Sequence, residues 1–251
     1  MAPRVHSAFL IAALVLLAAT SAPSQQKYDV SGNDSYKIGS TMPTTSIAYT
    51  GAQRLTVEQS GKDRRYTAEA SYTRSDDNGK ATAHARFVQE LTGQGSFEDR
   101  SDEDPDFLTV LNQPFAVQLD ATTLRDIRTM HHEIPFQAES PLGGSTLHGY
   151  LSPQPGGKIN GRSVVGVHFQ AEGPMTGPLP QRPETSISGK VRMDGAAYYA
   201  ADGALLLALD ATLTIDGNLL NRRDSVPVQI VYRRKIRADD SAPSWNEAKS
   251  P

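Results

Sequence analysis

The sequence contains one compact set of metal-binding residue types, His131-His132-Glu133. Imidazole and carboxylate groups are common metal ligands. The zinc-protease arrangement, however, places two histidines four residues apart on one face of a helix, whereas adjacent helical side chains point about 100° apart. We therefore predict that these histidines lie at a solvated helix end, where partly charged imidazoles interact favourably with the C-terminal dipole.

Three further histidines, His84, His148 and His168, lie in segments with strand-like alternation. If the strands that carry His148 and His168 pair, the two rings could lie across from each other, and His84 could approach them only if the sheet closes. Three neutral imidazoles would form a zinc site. Nothing in the spacing requires this meeting, so we predict no metal and no cofactor. A metal-dependent hydrolase is the third functional hypothesis.

The residue pattern contains no recognisable catalytic motif. The chain has no cysteine, which excludes a thiol nucleophile. The serine-hydrolase elbow Gly-x-Ser-x-Gly is absent, because Gly143-Gly144-Ser145-Thr146 lacks the final glycine. Carboxylates such as Asp120, Glu133 and Asp210 could pair for glycoside hydrolysis, but the single Trp makes no aromatic sugar platform evident. We predict that the protein is not an enzyme and has no catalytic residues.

Two Gly- and Pro-rich segments and one amphipathic stretch are better candidates for a binding site. The segments Pro141–Gly144 and Gly173–Pro180 are predicted to be rigid loops that carry apolar side chains. An apolar, pliable edge would admit a hydrophobic ligand to a cavity. The candidate ligand-binding residues are Leu142, Met175 and Leu179 at the cavity rim, and Leu124, Ile127 and Met130 from the amphipathic stretch.

Alternation with a period of two dominates the chain and predicts strands with one apolar face. It is clearest over 204–215, where every second residue is apolar. The alternating runs 66–73 and 81–87 flank Asp76-Asp77-Asn78-Gly79, which is a strong hairpin signal. Further strands are predicted over 54–59, 145–151, 163–171, 186–193 and 226–237.

One segment departs from this alternation. Leu124, Ile127 and Met130 recur at three-residue spacing behind Asp120, which is a good helix N-cap. We predict one helix near 120–132, inserted between two sets of strands.

The predicted fold is mainly β, with about nine or ten antiparallel strands and one helix. A strongly curved antiparallel sheet or an incomplete β-barrel, with one covering α-helix, accounts for the single-faced alternation. A two-sheet β-sandwich is the alternative. We expect a single antiparallel β domain over 44–238. This architecture is similar in kind to periplasmic lipoprotein carriers and related half-barrels, a fold-level analogy that implies an acyl-sized cavity between sheet and helix.

The N-terminus has the parts of a secretory signal peptide. Arg4 precedes an apolar run over 8–19, and small residues follow it. We predict a signal peptide over 1–21, a flexible linker over 22–43 and a disordered tail over 239–251. The protein is expected to be exported, periplasmic or secreted, and the absence of cysteine favours a bacterial source. No membrane span is expected after signal cleavage.

Charge and patterning together define the functional hypotheses. The net charge of −3 removes the electrostatic case for nucleic acid binding. The leading hypothesis is an exported β-domain of unknown function that binds a hydrophobic ligand or a cell-envelope component. The expected partners are a lipid or small hydrophobic ligand and an envelope protein. The alternative is a structural or protein-interaction module with a fully packed core.

Overall fold

The computed structural model describes residues 24–60, 63–91, 97–103, 119, 121–130, 132–140, 145–179, 182–202, 205–222 and 224–239. Within these ranges the chain forms eleven β-strands and one α-helix. The elements are β1 (Ser24–Ile38), β2 (Thr45–Ser60), β3 (Asp63–Asp76), β4 (Gly79–Leu91), β5 (Phe97–Glu103), α1 (Ala121–Met130), β6 (Ile134–Glu139), β7 (Thr146–Ile159), β8 (Arg162–Leu179), β9 (Arg182–Ala200), β10 (Leu206–Leu220) and β11 (Ser225–Ala238). The predicted signal peptide lies outside the described residues, as does the predicted tail except for Asp239.

The strands form one antiparallel sheet in the order β5-β4-β3-β2-β1-β11-β10-β9-β8-β7-β6. Neighbours in the sheet are also neighbours in the chain, except that the first strand, β1, pairs with the last, β11. The described sheet is open, with β5 and β6 at its two edges. The predicted mainly β fold with a single helix is therefore confirmed for the described residues, and its strands do not divide into the two sheets of the alternative sandwich.

One face of the sheet, called the inner face below, carries the apolar residues. In β10, Leu209, Leu213 and Ile215 are buried on this face, whereas Asp210 between them is exposed. The same alternation continues in β11, where Ile230 and every second residue around it are buried. The period of two in the sequence therefore places one row of each strand in the core.

The inner face is buried because the sheet is strongly curved. Eleven strands at about 4.8 Å spacing span about 50 Å, whereas a ten-residue helix is about 15 Å long, so α1 cannot cover the whole face. Side chains as distant in the sheet as Tyr72 of β3 and Leu147 of β7 nevertheless join one apolar cluster. Leu124 and Ile127 of α1 join the same cluster, and α1 contacts β7 and β8.

The predicted flexible linker over 22–43 is wrong, because Ser24–Ile38 forms β1 near the middle of the sheet. Tyr28, Val30 and Asp34 share its buried parity. The alternation was not recognised in the sequence because β1 contains many polar residues, and an aspartate among the alternating apolar residues normally indicates a solvated segment. The aspartate is buried here because β11 supplies its partner.

The predicted loop Gly173–Pro180 is also wrong up to Leu179, because this segment continues β8. Pro174 lies opposite Lys190 and Pro178 opposite Ser186 in β9. Proline fixes φ near −65°, which lies within the β region, so it is compatible with an extended strand even though it donates no hydrogen bond.

Glycines allow the backbones of β9 and β10 to approach each other closely. Gly189 and Gly217 lie directly opposite each other on the inner face. A Cβ atom on Gly189 would collide with the carbonyl oxygen of Asp216 and lie 2.6 Å from the Cα atom of Gly217. The absence of side chains at this pair is therefore required by the backbone geometry.

We predict that Gly189→Ala lowers the free energy of unfolding by about 1–3 kcal/mol, because the new methyl group displaces the neighbouring strand. Gly157→Ala is the matched control, since Gly157 is exposed in β7 and its added Cβ would meet nothing within 4 Å. Urea unfolding of both variants measures the effect. Equal unfolding midpoints would contradict the close approach.

Candidate functional site

A buried ion pair joins the first and last strands. The side chains of Asp34 in β1 and Arg234 in β11 are 0% and 2% exposed. Arg234 donates from Nη1 to Asp34 Oδ1 and from Nη2 to Oδ2, the second bond being 3.2 Å long. Nη1 also donates to the Arg233 carbonyl at 2.9 Å. This two-bond geometry is the strongest form of a carboxylate–guanidinium contact.

Glycine makes the space that the arginine occupies. Gly32 lies opposite Arg234 on one side and opposite Tyr49 on the other. A Cβ atom on Gly32 would lie 3.0 Å from Arg234 Nη1 and would collide with the Arg233 carbonyl. The guanidinium instead lies 4.7 Å from the centre of the Tyr49 ring, which is a cation–π contact.

Three tyrosines, Tyr36, Tyr49 and Tyr232, complete this buried polar cluster. The Tyr36 hydroxyl donates to Asp34 Oδ2 at 3.4 Å, and the Tyr36 and Tyr232 rings meet edge to face at 5.9 Å. Burial raises the pKa of all three tyrosines above the usual range, and the nearby Asp34 carboxylate contributes in each case. Burial opposes the charge on Arg234, but the hydrogen bond to Asp34, the Asp34 charge and the nearby tyrosines together outweigh it and raise the pKa of the guanidinium. We interpret the cluster as structural, because its charged groups are buried and face each other.

The opposite, outer face of the sheet carries a Ser–His–Asp arrangement across β7, β8 and β9. Ser152 Oγ lies 3.5 Å from His168 Nδ1, and His168 Nε2 lies 3.2 Å from Asp194 Oδ2. The Asp194 side chain is 61% exposed, so water screens its charge and it cannot hold the imidazole as a buried aspartate does in a catalytic triad. We therefore interpret these contacts as a cross-strand polar ladder.

The histidines predicted as an alternative zinc site do not meet. His84 lies on β4, which six strands separate from His168 on β8. His148 lies opposite Glu172, and His168 lies opposite Ser152. The Asn160-Gly161 turn, with φ values of 53° and 75°, joins the two strands, and an irregularity between Gln154 and Gly157 shifts their register before it reaches these histidines. Among the described residues no group of three metal-ligating side chains is close enough to bind an ion.

The His131-His132-Glu133 motif follows α1. His132 and Glu133 are exposed, which agrees with the predicted solvated helix end, and His131 lies outside the described residues.

Four of the six predicted ligand-binding residues belong to the apolar core or pack against it. Leu124, Ile127 and Met175 are buried in the apolar cluster, and half-buried Leu179 packs against it. The two remaining residues, Leu142 and the side chain of Met130, lie outside the described part of the chain. The role of these residues in a cavity stays a prediction.

Sequence reasoning missed Ser140, the residue after β6. Its side chain is 0% exposed, and its Oγ has no hydrogen-bond partner. Ile134, Phe136 and Ala138 precede it at every second position and pack against the core. That alternation is the signal that could have placed Ser140 on the inner face.

Among the described residues, two grooves on the outer face are lined in part by charged side chains of both signs. The first, of about 430 Å³, is lined by Lys27, Asp29, Arg54, Glu69, His84 and neighbouring residues. The second, of about 320 Å³, is lined by His148, Tyr150, Gln170, Glu172, Arg192 and neighbouring residues. The mixed charges of these grooves do not suit an apolar ligand.

No family model and no curated protein matches this chain. Among solved structures, a lipovitellin structure determined for its lipid–protein interactions is similar at a TM-score of 0.43 and 12% identity, covering 89% of this chain and 26% of that one. The chain thus spans about a quarter of lipovitellin's length. A DUF1329 family protein from Desulfovibrio piger ATCC 29098 is similar at a TM-score of 0.18 and 10% identity, covering 90% of this chain and 92% of the other. Both similarities are too low to support a shared function.

In the part of the chain that the structure describes, no helix has the length and apolar character needed to cross a bilayer.

We predict that Asp34→Asn lowers the free energy of unfolding by about 3–5 kcal/mol, because it leaves the Arg234 charge buried without a counter-ion. Asp210→Asn is the control, since it breaks the exposed Asp210–Lys235 pair and is expected to cost less than about 1 kcal/mol. Urea unfolding measures both. The double replacement Asp34→Leu with Arg234→Met should recover much of the loss. Equal effects of the two single variants would contradict the role of the buried pair.

The buried tyrosines predict a loss of stability at alkaline pH. A tyrosine whose pKa is higher in the folded protein contributes fully below the unfolded value of about 10, and this contribution is lost as pH rises above it. We expect the free energy of unfolding to fall by up to about 1.4 kcal/mol per pH unit for each such tyrosine. Urea unfolding at a series of pH values above about 10 measures this. The free energy of unfolding should fall less steeply with pH for Tyr232→Phe than for Tyr150→Phe, a variant at an exposed position. Identical slopes would refute the assignment.

Proposed function

We propose that this protein is a non-enzymatic β-domain that binds a hydrophobic ligand between α1 and the inner face of the sheet. The supporting observation is the way α1 joins the core. Among its described side chains only Leu124 and Ile127 are buried in the apolar cluster, and Arg125 and Arg128 are exposed on its other side. The helix is therefore a narrow amphipathic cover on a wide apolar surface.

The surface beneath the helix suits an acyl chain. α1 contacts β7 and β8, whose inner face presents Leu147, Leu151 and Phe169. These side chains bring no hydrogen-bonding groups to the inner face. A ligand lying on these side chains would replace the contacts that α1 makes with them when no ligand is bound.

Burial of the α1 side chains on this surface and burial of an acyl chain there contribute comparable free energies. Burial of Leu124 and Ile127 contributes about 3–6 kcal/mol, at about 1.5–3 kcal/mol for each side chain. An acyl chain gains about 0.8 kcal/mol for each buried methylene, so about four to eight methylenes equal the two side chains. A longer chain could therefore displace the helix from part of the sheet.

The proposal includes export. The charged residue and apolar run at the N-terminus suit a signal peptide, and the absence of cysteine agrees with a fold that needs no disulfide. We propose a bacterial periplasmic or secreted protein whose ligand is a lipid or another cell-envelope component.

A second candidate is a structural or protein-interaction module. The complete burial of Ile127 and Met175, at 0% and 1% exposure, favours it, because a core packed this closely needs no ligand to fill it. An envelope protein would then bind elsewhere on the surface.

Native mass spectrometry distinguishes the two functions. We expect the full-length protein, expressed with its own N-terminus and purified, to carry an extra mass of lipid size that is lost on denaturation. The denatured mass also reports whether the signal peptide is removed. A ligand-free native mass, together with no uptake of the apolar dye 1-N-phenylnaphthylamine, would contradict ligand binding and favour the interaction module.

Variants of α1 locate the ligand. Ile127→Ala is expected to strengthen lipid retention, because the ligand then has fewer helix–sheet contacts to displace, whereas Arg125→Ala on the exposed side should retain the wild-type amount. Circular dichroism checks that both variants fold. Equal retention in the two variants would place the ligand away from the helix.

A further inference from the structure

The Ser140 hydroxyl is buried without a hydrogen-bond partner. Its Oγ makes no hydrogen bond, and the side chain is fully shielded from solvent. A buried hydroxyl without a partner is destabilising, and native proteins keep few of them without a functional reason. The backbone around it is ordinary, since the Ser140 N–H donates to the Ser145 carbonyl at 2.9 Å and extends the β6–β7 pairing.

Ser140 belongs to the apolar side of the sheet. Ala138 lies opposite Leu147 of β7, and Ser140 follows Ala138 at the next position of the same parity. Met175 lies at the same end of the sheet, two residues beyond Gly173, whose Cβ position would be 3.1 Å from Leu147 Cδ2. The hydroxyl is thus placed at one end of the surface proposed to hold the apolar ligand.

The charges around this surface restrict the ligand further. The described inner-face residues of β6, β7 and β8 include no charged side chain. The buried charges of Asp34 and Arg234 lie on β1 and β11 and neutralise each other. A carboxylate or phosphate beside Ser140 would lose its hydration in return for one hydrogen bond, which is strongly unfavourable. A neutral polar group would not bear this cost.

We propose that Ser140 binds the neutral polar head of an amphiphilic ligand, an ester carbonyl or an alcohol, whose apolar chain lies along the inner face of β7 and β8. This inference rests on the proposed function and specifies its ligand class. The Ser140 hydroxyl donates a hydrogen bond to the ester carbonyl or alcohol oxygen and so gains the partner that the protein does not supply.

Ser140→Ala tests the assignment through two opposite effects. Removal of the unpaired hydroxyl is expected to raise the Tm of the lipid-free protein by about 2–4 °C. The same change should weaken binding of 1-monopalmitoylglycerol about five- to tenfold, because one hydrogen bond to the ligand is lost. Displacement of 1-N-phenylnaphthylamine measures the affinity. Ser71→Ala, at an exposed strand position, is the control and should change neither quantity.

Palmitate tests the charge of the head group. We expect the wild-type protein to bind 1-monopalmitoylglycerol more tightly than ionised palmitate, and Ser140→Ala to reduce that preference. Equal monoacylglycerol affinity in wild type and Ser140→Ala, or a preference of the wild type for palmitate, would overturn the Ser140 assignment and leave the proposed function standing. Binding of neither lipid and no dye uptake by the wild type would overturn both.

Discussion

The pairing of the first strand with the last determines this fold, and the Asp34–Arg234 ion pair lies on that pairing. Strands β1 to β5 form one meander and β6 to β11 form another, each built from neighbours in the chain. Among the described strands, the pairing of β1 with β11 is the one that joins the two meanders into a single sheet. Without this contact the chain would form two sheets with two additional open edges, which invite association with other chains.

A buried ion pair specifies this contact more than it stabilises it. The desolvation of two charges offsets much of their attraction, so apolar residues of similar volume can be equally stable. The register of β1 against β11, in contrast, does depend on the ion pair. A slip of one residue between β1 and β11 would move Asp34 to the outer face and leave Arg234 buried without a counter-ion. Gly32 adds to the specificity, because its position alone leaves room for the guanidinium to reach Tyr49.

Local patterns in the sequence were enough to predict the strands and the helix whose buried side is made of apolar residues. Alternation was sufficient for β10, and the three-residue spacing of Leu124 and Ile127 was sufficient for α1. The prediction failed for β1, because Asp34 becomes a core residue only through a partner 200 positions away. The separation of His148 from His168 likewise depends on a register that is shifted between Gln154 and Gly157 and that residue types alone do not reveal.

The inner face contains two kinds of buried polar group, and the difference between them bears on where a ligand would bind. At the β1–β11 contact, Asp34 and Arg234 bind each other and the tyrosines around them, so a ligand would have to compete with contacts already made. Ser140, beyond β6, has a buried hydroxyl that no protein group satisfies. A ligand gains a hydrogen bond there without breaking one. The β6–β8 side of the sheet, beneath α1, is therefore where we propose that a ligand binds, away from the ion pair between the first and last strands.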